Sequence, residues 1–173
     1  FIGKNMSENK IVFKGKELEL NTLEGTVGPS VLDIRSLYSD LGVFTYDPGY
    51  GSTGSCESGI TFIDGEQGIL LHRGYPIDQL AEKSSFLEVA YLLIFGNLPD
   101  AQELKKFHKD ITDESHIDEE MKKILDGFPK SAHPMGVLSS LTSALIAFNP
   151  STVDVSSEED MYHAIVRILA KFP

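Results

Sequence analysis

Short apolar runs separated by turn residues fill the first half of the chain and predict β-strands. Segments 11–14 and 17–20 flank Gly15 and predict a small antiparallel hairpin. Segments 60–63 and 68–72 flank an Asp-Gly dipeptide, which is a strong short-range signal for a second hairpin. The pattern therefore predicts a β-rich beginning that is built from local strand pairings.

Two other elements are predicted in this half of the chain. Apolar positions within residues 31–41 indicate a short helix, which Gly42 can end because glycine accepts a left-handed backbone. The tripeptide 47–49, Asp-Pro-Gly, predicts a turn, since proline fixes φ and glycine tolerates positive φ.

Apolar positions at helical spacing dominate from residue 84 onward. Ser85 and Glu88 fit a capping box, in which the serine accepts a hydrogen bond from a backbone amide and the glutamate reaches back to the cap. We expect five helices, beginning at Ser85, at Asp100, about residue 117, at Pro134 and about residue 156. The predicted breaks after these helices include Gly96, Gly127 and the dipeptide Asn149-Pro150.

Composition and charge exclude several classes of protein. The chain has 173 residues, a formal net charge of −11 and one cysteine. A single cysteine excludes a disulfide-stapled scaffold and favours a reducing compartment. The negative charge disfavours nucleic acid and anionic membranes as partners, and no apolar run is long enough to span a bilayer.

The glycine-rich string 49–54 reads G-x-G-x-x-G, the pattern of a dinucleotide-binding loop. Such a loop needs a strand before it and a helix that begins on it, so that the helix N-terminus faces the pyrophosphate. Here an Asp-Pro dipeptide precedes the string, and a polar segment followed by a strand comes after it. We therefore interpret the string as a surface loop.

The histidines and the cysteine are scattered and indicate no catalytic or metal site. The five histidines are His72, His108, His116, His133 and His163, and their spacing fits no zinc motif. We interpret His133, which precedes Pro134, as a helix-entry residue that satisfies backbone amides. Cys56 lies among two serines and a glutamate, none of which activates a thiolate, so we expect an inert thiol.

Two groups of charged residues invite a functional interpretation. The acidic residues between 113 and 126 are interpreted as a solvated face near a helix start, where carboxylates are favoured by the helix dipole. Arg167 and Lys171 are four residues apart and share one face of the last predicted helix. They could bind an anion, although an exposed cationic stripe without function is favoured. The residues alone thus predict an acidic domain without an active site.

Several longer strings form one ordered pattern, which comprises segments 23–35, 44–49, 55–58, 60–80, 85–93, 133–135 and 167–171. Together these strings resemble, in the right order, the N-terminal portion of bacterial citrate synthases. The resemblance implies a mainly α-helical, citrate-synthase-like fold that begins with a small β-rich region of hairpins. It divides the chain into an unmatched or disordered N-terminus (1–9), the β-rich region (10–83) and the first, incomplete helices of a large domain (84–173).

The resemblance also implies the activity of an intact enzyme, of which this chain would be a truncated fragment. Citrate synthases condense acetyl-CoA with oxaloacetate and water to give citrate and CoA. They use acid–base chemistry by histidine and aspartate and need no metal or prosthetic group. None of the histidines here matches a catalytic one, and the catalytic residues are expected after Pro173. We expect no catalytic, cofactor or metal residue in this segment, which should be inactive alone.

The resemblance further implies assembly and regulation. The family forms homodimers or hexamers of dimers, and one bacterial branch is inhibited by NADH. Arg167 and Lys171 occupy positions at which that branch places phosphate-facing cations, and they are the candidate regulatory nucleotide contacts. The branch's Arg-His-Thr run corresponds here to residues 113–115, which begin with two acids that oppose phosphate. We expect weak or absent inhibition by NADH.

Two alternatives stay open. A 2-methylcitrate synthase would use propionyl-CoA, and the acyl pocket that separates the two enzymes lies outside this segment, although the β-rich region 10–74 favours the citrate enzyme. A non-catalytic binding or assembly protein is the alternative if the chain is full length.

Residues 6–16 are neither apolar nor arginine-rich enough for a targeting signal, which predicts a cytoplasmic location.

Overall fold

The computed structural model describes residues 4–5, 9–149, 154 and 156–172. These residues fall into two units that meet in the chain between Ser84 and Ser85. The first unit holds three small antiparallel sheets and two short helices, and the second unit is helical. Across the described residues, no helix combines the length and the apolar character that crossing a bilayer requires.

The strands of the first unit are short and pair mostly with near neighbours in sequence. They are β1 (Lys4–Asn5), β2 (Lys10–Phe13), β3 (Lys16–Glu19), β4 (Thr22–Leu23), β5 (Val31–Leu32), β6 (Thr61–Asp64), β7 (Ile69–His72) and β8 (Tyr75–Pro76). The sheets have the strand orders β1-β4-β5, β2-β3 and β6-β7-β8. The two predicted hairpins, β2-β3 and β6-β7, are confirmed.

Two of the hairpins close through two-residue turns with positive φ at both positions. Lys14 and Gly15 have φ of 50° and 80° between β2 and β3, and Arg73 and Gly74 have φ of 50° and 88° between β7 and β8. Positive φ at both central residues is the requirement of a type I′ turn, whose twist matches that of the flanking strands. The second of these hairpins was not predicted.

The helix predicted over residues 31–41 is wrong in its first half. Val31–Leu32 forms β5, which pairs with β4 and so satisfies backbone groups that the helix would have used. The helix α1 covers only Leu37–Leu41, and Gly42 ends it with a φ of 67°, as predicted. The predicted turn at residues 47–49 is present, since the amide of Tyr50 donates to the carbonyl of Asp47 over 3.1 Å.

The remaining helices are α2 (Ile77–Lys83), α3 (Phe86–Phe95), α4 (Ala101–Asp113), α5 (Glu119–Asp126), α6 (Pro134–Phe148) and α7 (Glu158–Lys171). α2 belongs to the first unit and was not predicted; the other five helices were. The mainly α-helical fold class is therefore confirmed. Asn149 ends α6, while Pro150 of the predicted break lies outside the described residues.

Side-chain caps fix where the helices of the second unit begin. The amide of Ser85 donates to Glu88 Oε2 over 2.7 Å, and the Glu88 amide donates to Ser85 Oγ over 3.4 Å, which is the predicted capping box. Asp100 makes an equivalent box at the start of α4. His133 Nδ1 accepts from the amide of Met135 over 3.2 Å, so the predicted helix-entry role of His133 is confirmed.

An aromatic cluster forms the core of the second unit. Phe107 and Leu92 are almost fully buried. The Phe107 ring meets Tyr91 and Phe95 edge-on, with centroids 5.4 and 5.9 Å away, which is a favourable aromatic geometry. These contacts join α3 to α4. The Phe95 ring also lies 6.0 Å from the ring of Tyr162 on α7, the helix that carries the two candidate cations.

Candidate functional site

The two candidate cations lie on one face of α7 and point toward the C-terminal end of α4. Arg167 Nε lies 3.3 Å from Glu114 Oε2, and the Arg167 side chain is only 15% exposed. Lys171 Nζ donates to the carbonyl oxygens of Glu114 and His116 over 2.7 and 2.5 Å. Glu114 is the C-terminal cap residue of α4. The cations thus bind a turn of their own chain.

This geometry changes the interpretation of Arg167 and Lys171. Both side chains are half-buried, so the pair is not the exposed cationic stripe that the spacing favoured. Carbonyl groups at a helix C-terminus carry partial negative charge, and a cation placed there is stabilising. Glu114 adds a full negative charge to the same place. The contacts made by these two cations therefore already supply the negative partners that an external anion would supply.

A second polar network joins α4 to α7 one turn away. The hydroxyl of Tyr162 donates to Asp110 Oδ2 over 2.6 Å, and Lys106 Nζ donates to the same oxygen over 2.6 Å. The Lys106 ammonium also lies 4.6 Å from the centre of the Tyr162 ring, within reach of a cation–π interaction. No local signal in the sequence indicates this network, because Tyr162 and Asp110 are 52 residues apart.

The contacts in this network shift the pKa values of its three titratable side chains. The hydrogen bonds from Lys106 and then Tyr162 lower the pKa of Asp110, since both favour its ionised form. Burial, and then the hydrogen bond to Asp110, raise the pKa of Tyr162. The hydrogen bond to Asp110 is the main cause that raises the pKa of Lys106. Every group is thus held in its ordinary charge state at neutral pH, which suits a structural contact.

The glycine-rich string 49–54 has the surroundings of a loop, as predicted. Irregular backbone precedes it, and no helix begins on it. The Asp47 carboxylate accepts hydrogen bonds from the amides of Gly51 and Ser52 and from the Thr53 hydroxyl, which folds the loop onto its own acid. Those bonds lower the pKa of Asp47, with the Thr53 hydroxyl as the largest cause. A carboxylate at the centre of the loop disfavours a phosphate there.

One groove of the first unit lies between the 25–31 loop and strands β6 and β7. It has a volume of about 520 Å³, and its lining includes Cys56, Glu57 and Arg73 but no histidine. Arg73 Nη1 donates to the Gly59 carbonyl over 3.4 Å. The thiol of Cys56 is exposed. The groove therefore brings together no thiol–histidine pair of the kind that nucleophilic catalysis uses.

No group of three or more metal-binding side chains occurs among the residues that the structure describes. The predicted acidic face is exposed except at Glu114, which is half-buried. Two of its members form ion pairs with neighbours on the same helix, Glu119 with Lys122 and Glu120 with Lys123. Asp113 is paired in the same way with Lys109. Glu114 is the exception, because its partner Arg167 lies on another helix.

Comparison with known proteins identifies the fold. The family model described as "Citrate synthase, C-terminal domain" matches residues 49–173. The crystal structure of citrate synthase from Thermotoga maritima is 33% identical, with a TM-score of 0.61, over 75% of this chain and 32% of that chain.

A second similar structure is citrate synthase from the thermophilic archaeon Thermoplasma acidophilum, in a ternary complex with carboxymethyl coenzyme A and oxaloacetate. It is 23% identical, with a TM-score of 0.58, over 68% of this chain and 32% of that chain, and supports the fold. The chain thus spans 32% of the length of each of these two enzymes. Because the family model covers well over half of its residues, this chain belongs to the citrate synthase family.

Proposed function

We propose that the chain is part of a citrate synthase whose intact polypeptide condenses acetyl-CoA with oxaloacetate and water to give citrate and CoA. The observation that carries the proposal is the family match over residues 49–173. The structure of the Thermoplasma acidophilum enzyme contains carboxymethyl coenzyme A and oxaloacetate. Oxaloacetate is one of the two proposed substrates, and carboxymethyl coenzyme A is a coenzyme A derivative, as acetyl-CoA is.

The proposed role of these residues is to support the reaction rather than to perform it. The condensation needs a base that takes a proton from the acetyl methyl group and donors that stabilise the resulting enolate. Two of the described histidines make local contacts instead: His133 caps α6, and His72 lies 3.3 Å from the Thr61 hydroxyl. We assign the acid–base residues to the part of the intact polypeptide that follows Pro173. The proposed mechanism uses no metal or prosthetic group.

The proposed acyl donor is acetyl-CoA rather than propionyl-CoA. The support is the β-rich region 10–74, which resembles the citrate enzyme and which the methylcitrate branch usually lacks. In this chain the region contains the β2-β3 and β6-β7 hairpins.

The proposed regulation is weak or absent inhibition by NADH. Arg167 and Lys171 would be the phosphate contacts, but they already bind Glu114 and the carbonyl of His116. A dinucleotide would have to displace these partners and bring its phosphates close to the Glu114 carboxylate, which repels them.

The proposed assembly of the intact enzyme is a homodimer or a hexamer of dimers, and the proposed location is the cytoplasm; both rest on the resemblance to the family.

Product analysis tests the proposed function. The polypeptide from the complete coding sequence is supplied with oxaloacetate and either acetyl-CoA or propionyl-CoA, and the products are identified by mass spectrometry. We expect citrate to form faster than 2-methylcitrate. Faster formation of 2-methylcitrate would reassign the enzyme, and formation of neither product would favour a binding or assembly protein.

A further inference from the structure

We draw no further inference here: the strongest candidate, the exposed apolar face of α6 that contains Met135, Leu138 and Ile146, carries nothing because nothing in the structure shows what covers it.

Discussion

Lys171, the last residue of α7, donates a hydrogen bond of 2.7 Å to the carbonyl oxygen of Glu114, the residue that ends α4. The same ammonium donates to the carbonyl of His116. Carbonyls at the end of a helix have no partner within the helix, so a cation from another helix satisfies them and stabilises the helix dipole. The α4 helix is therefore capped by a residue 57 positions away in the sequence.

We expect Lys171→Met to destabilise the second unit, because it removes two charge-assisted hydrogen bonds and keeps the length of the side chain. The expected loss is about 1 kcal/mol in the free energy of unfolding. Urea unfolding measures it, and hydrogen exchange should become faster at the amides of residues 114–118.

The matched control is Lys109→Met. Lys109 is an exposed lysine that pairs with Asp113 on its own helix, and such surface pairs contribute little. Equal losses from the Lys171 and Lys109 substitutions would contradict the capping role of Lys171.

Asp110 should make the stability of the second unit depend on pH. Its pKa is lowered in the folded chain by Lys106 and Tyr162, so its stabilising effect is complete above the ordinary aspartate pKa of 3.8 and is lost as the pH falls through the folded value. The difference in unfolding free energy between the parent chain and Asp110→Asn should therefore shrink as the pH falls from about 6 to about 3.

Urea unfolding at several pH values tests this dependence. Tyr162→Phe removes one of the two side-chain donors to the Asp110 carboxylate. It should reduce the pH dependence of the unfolding free energy without abolishing it, since Lys106 remains. A difference between the parent and Asp110→Asn that stays constant across the series would contradict the account.

Phe107 should be among the largest contributors to the core of the second unit. It is 1% exposed and contacts the rings of Tyr91 and Phe95, so Phe107→Ala leaves a cavity and should cost about 3–5 kcal/mol. Phe86 is the matched control, because its side chain is 72% exposed and Phe86→Ala should cost far less. Thermal unfolding of the two variants separates them, and a similar shift in Tm for both would show that the aromatic cluster is not the core.

Local signals made much of the fold predictable from the sequence. The capping box at Ser85, the glycine that ends α3 and the proline that opens α6 each act within a few residues, so the sequence displays them directly. The prediction over residues 31–41 was wrong because pairing between β4 and β5 overrode the helical pattern. Strand pairing depends on a partner segment, which a local pattern does not contain.

The candidate site was only half predictable for the same reason. Helical spacing places Arg167 and Lys171 on one face of α7. Their partner, Glu114, lies more than fifty residues earlier, and no local signal links it to them. The sequence therefore indicated which cations belong together, while the structure identified the carboxylate and carbonyl groups that they bind.

Calorimetry with NADH tests the proposed regulation of the intact enzyme. We expect weak or undetectable binding in the parent at low ionic strength, where electrostatic attraction is strongest. Glu114→Gln should bind NADH more tightly than the parent, because it removes the carboxylate that competes for Arg167. Glu119→Gln changes the net charge equally at an exposed site paired with Lys122 and should leave binding unchanged. Tight inhibition of the parent by NADH would refute this proposal.

Release of CoA is the most direct test of the central claim, that this chain is part of a citrate synthase. The polypeptide from the complete coding sequence and the 173-residue chain are each assayed for free thiol with acetyl-CoA, in the presence and absence of oxaloacetate. We predict oxaloacetate-dependent CoA release by the complete polypeptide and only background release by the 173-residue chain. No oxaloacetate-dependent release by the complete polypeptide would contradict the account.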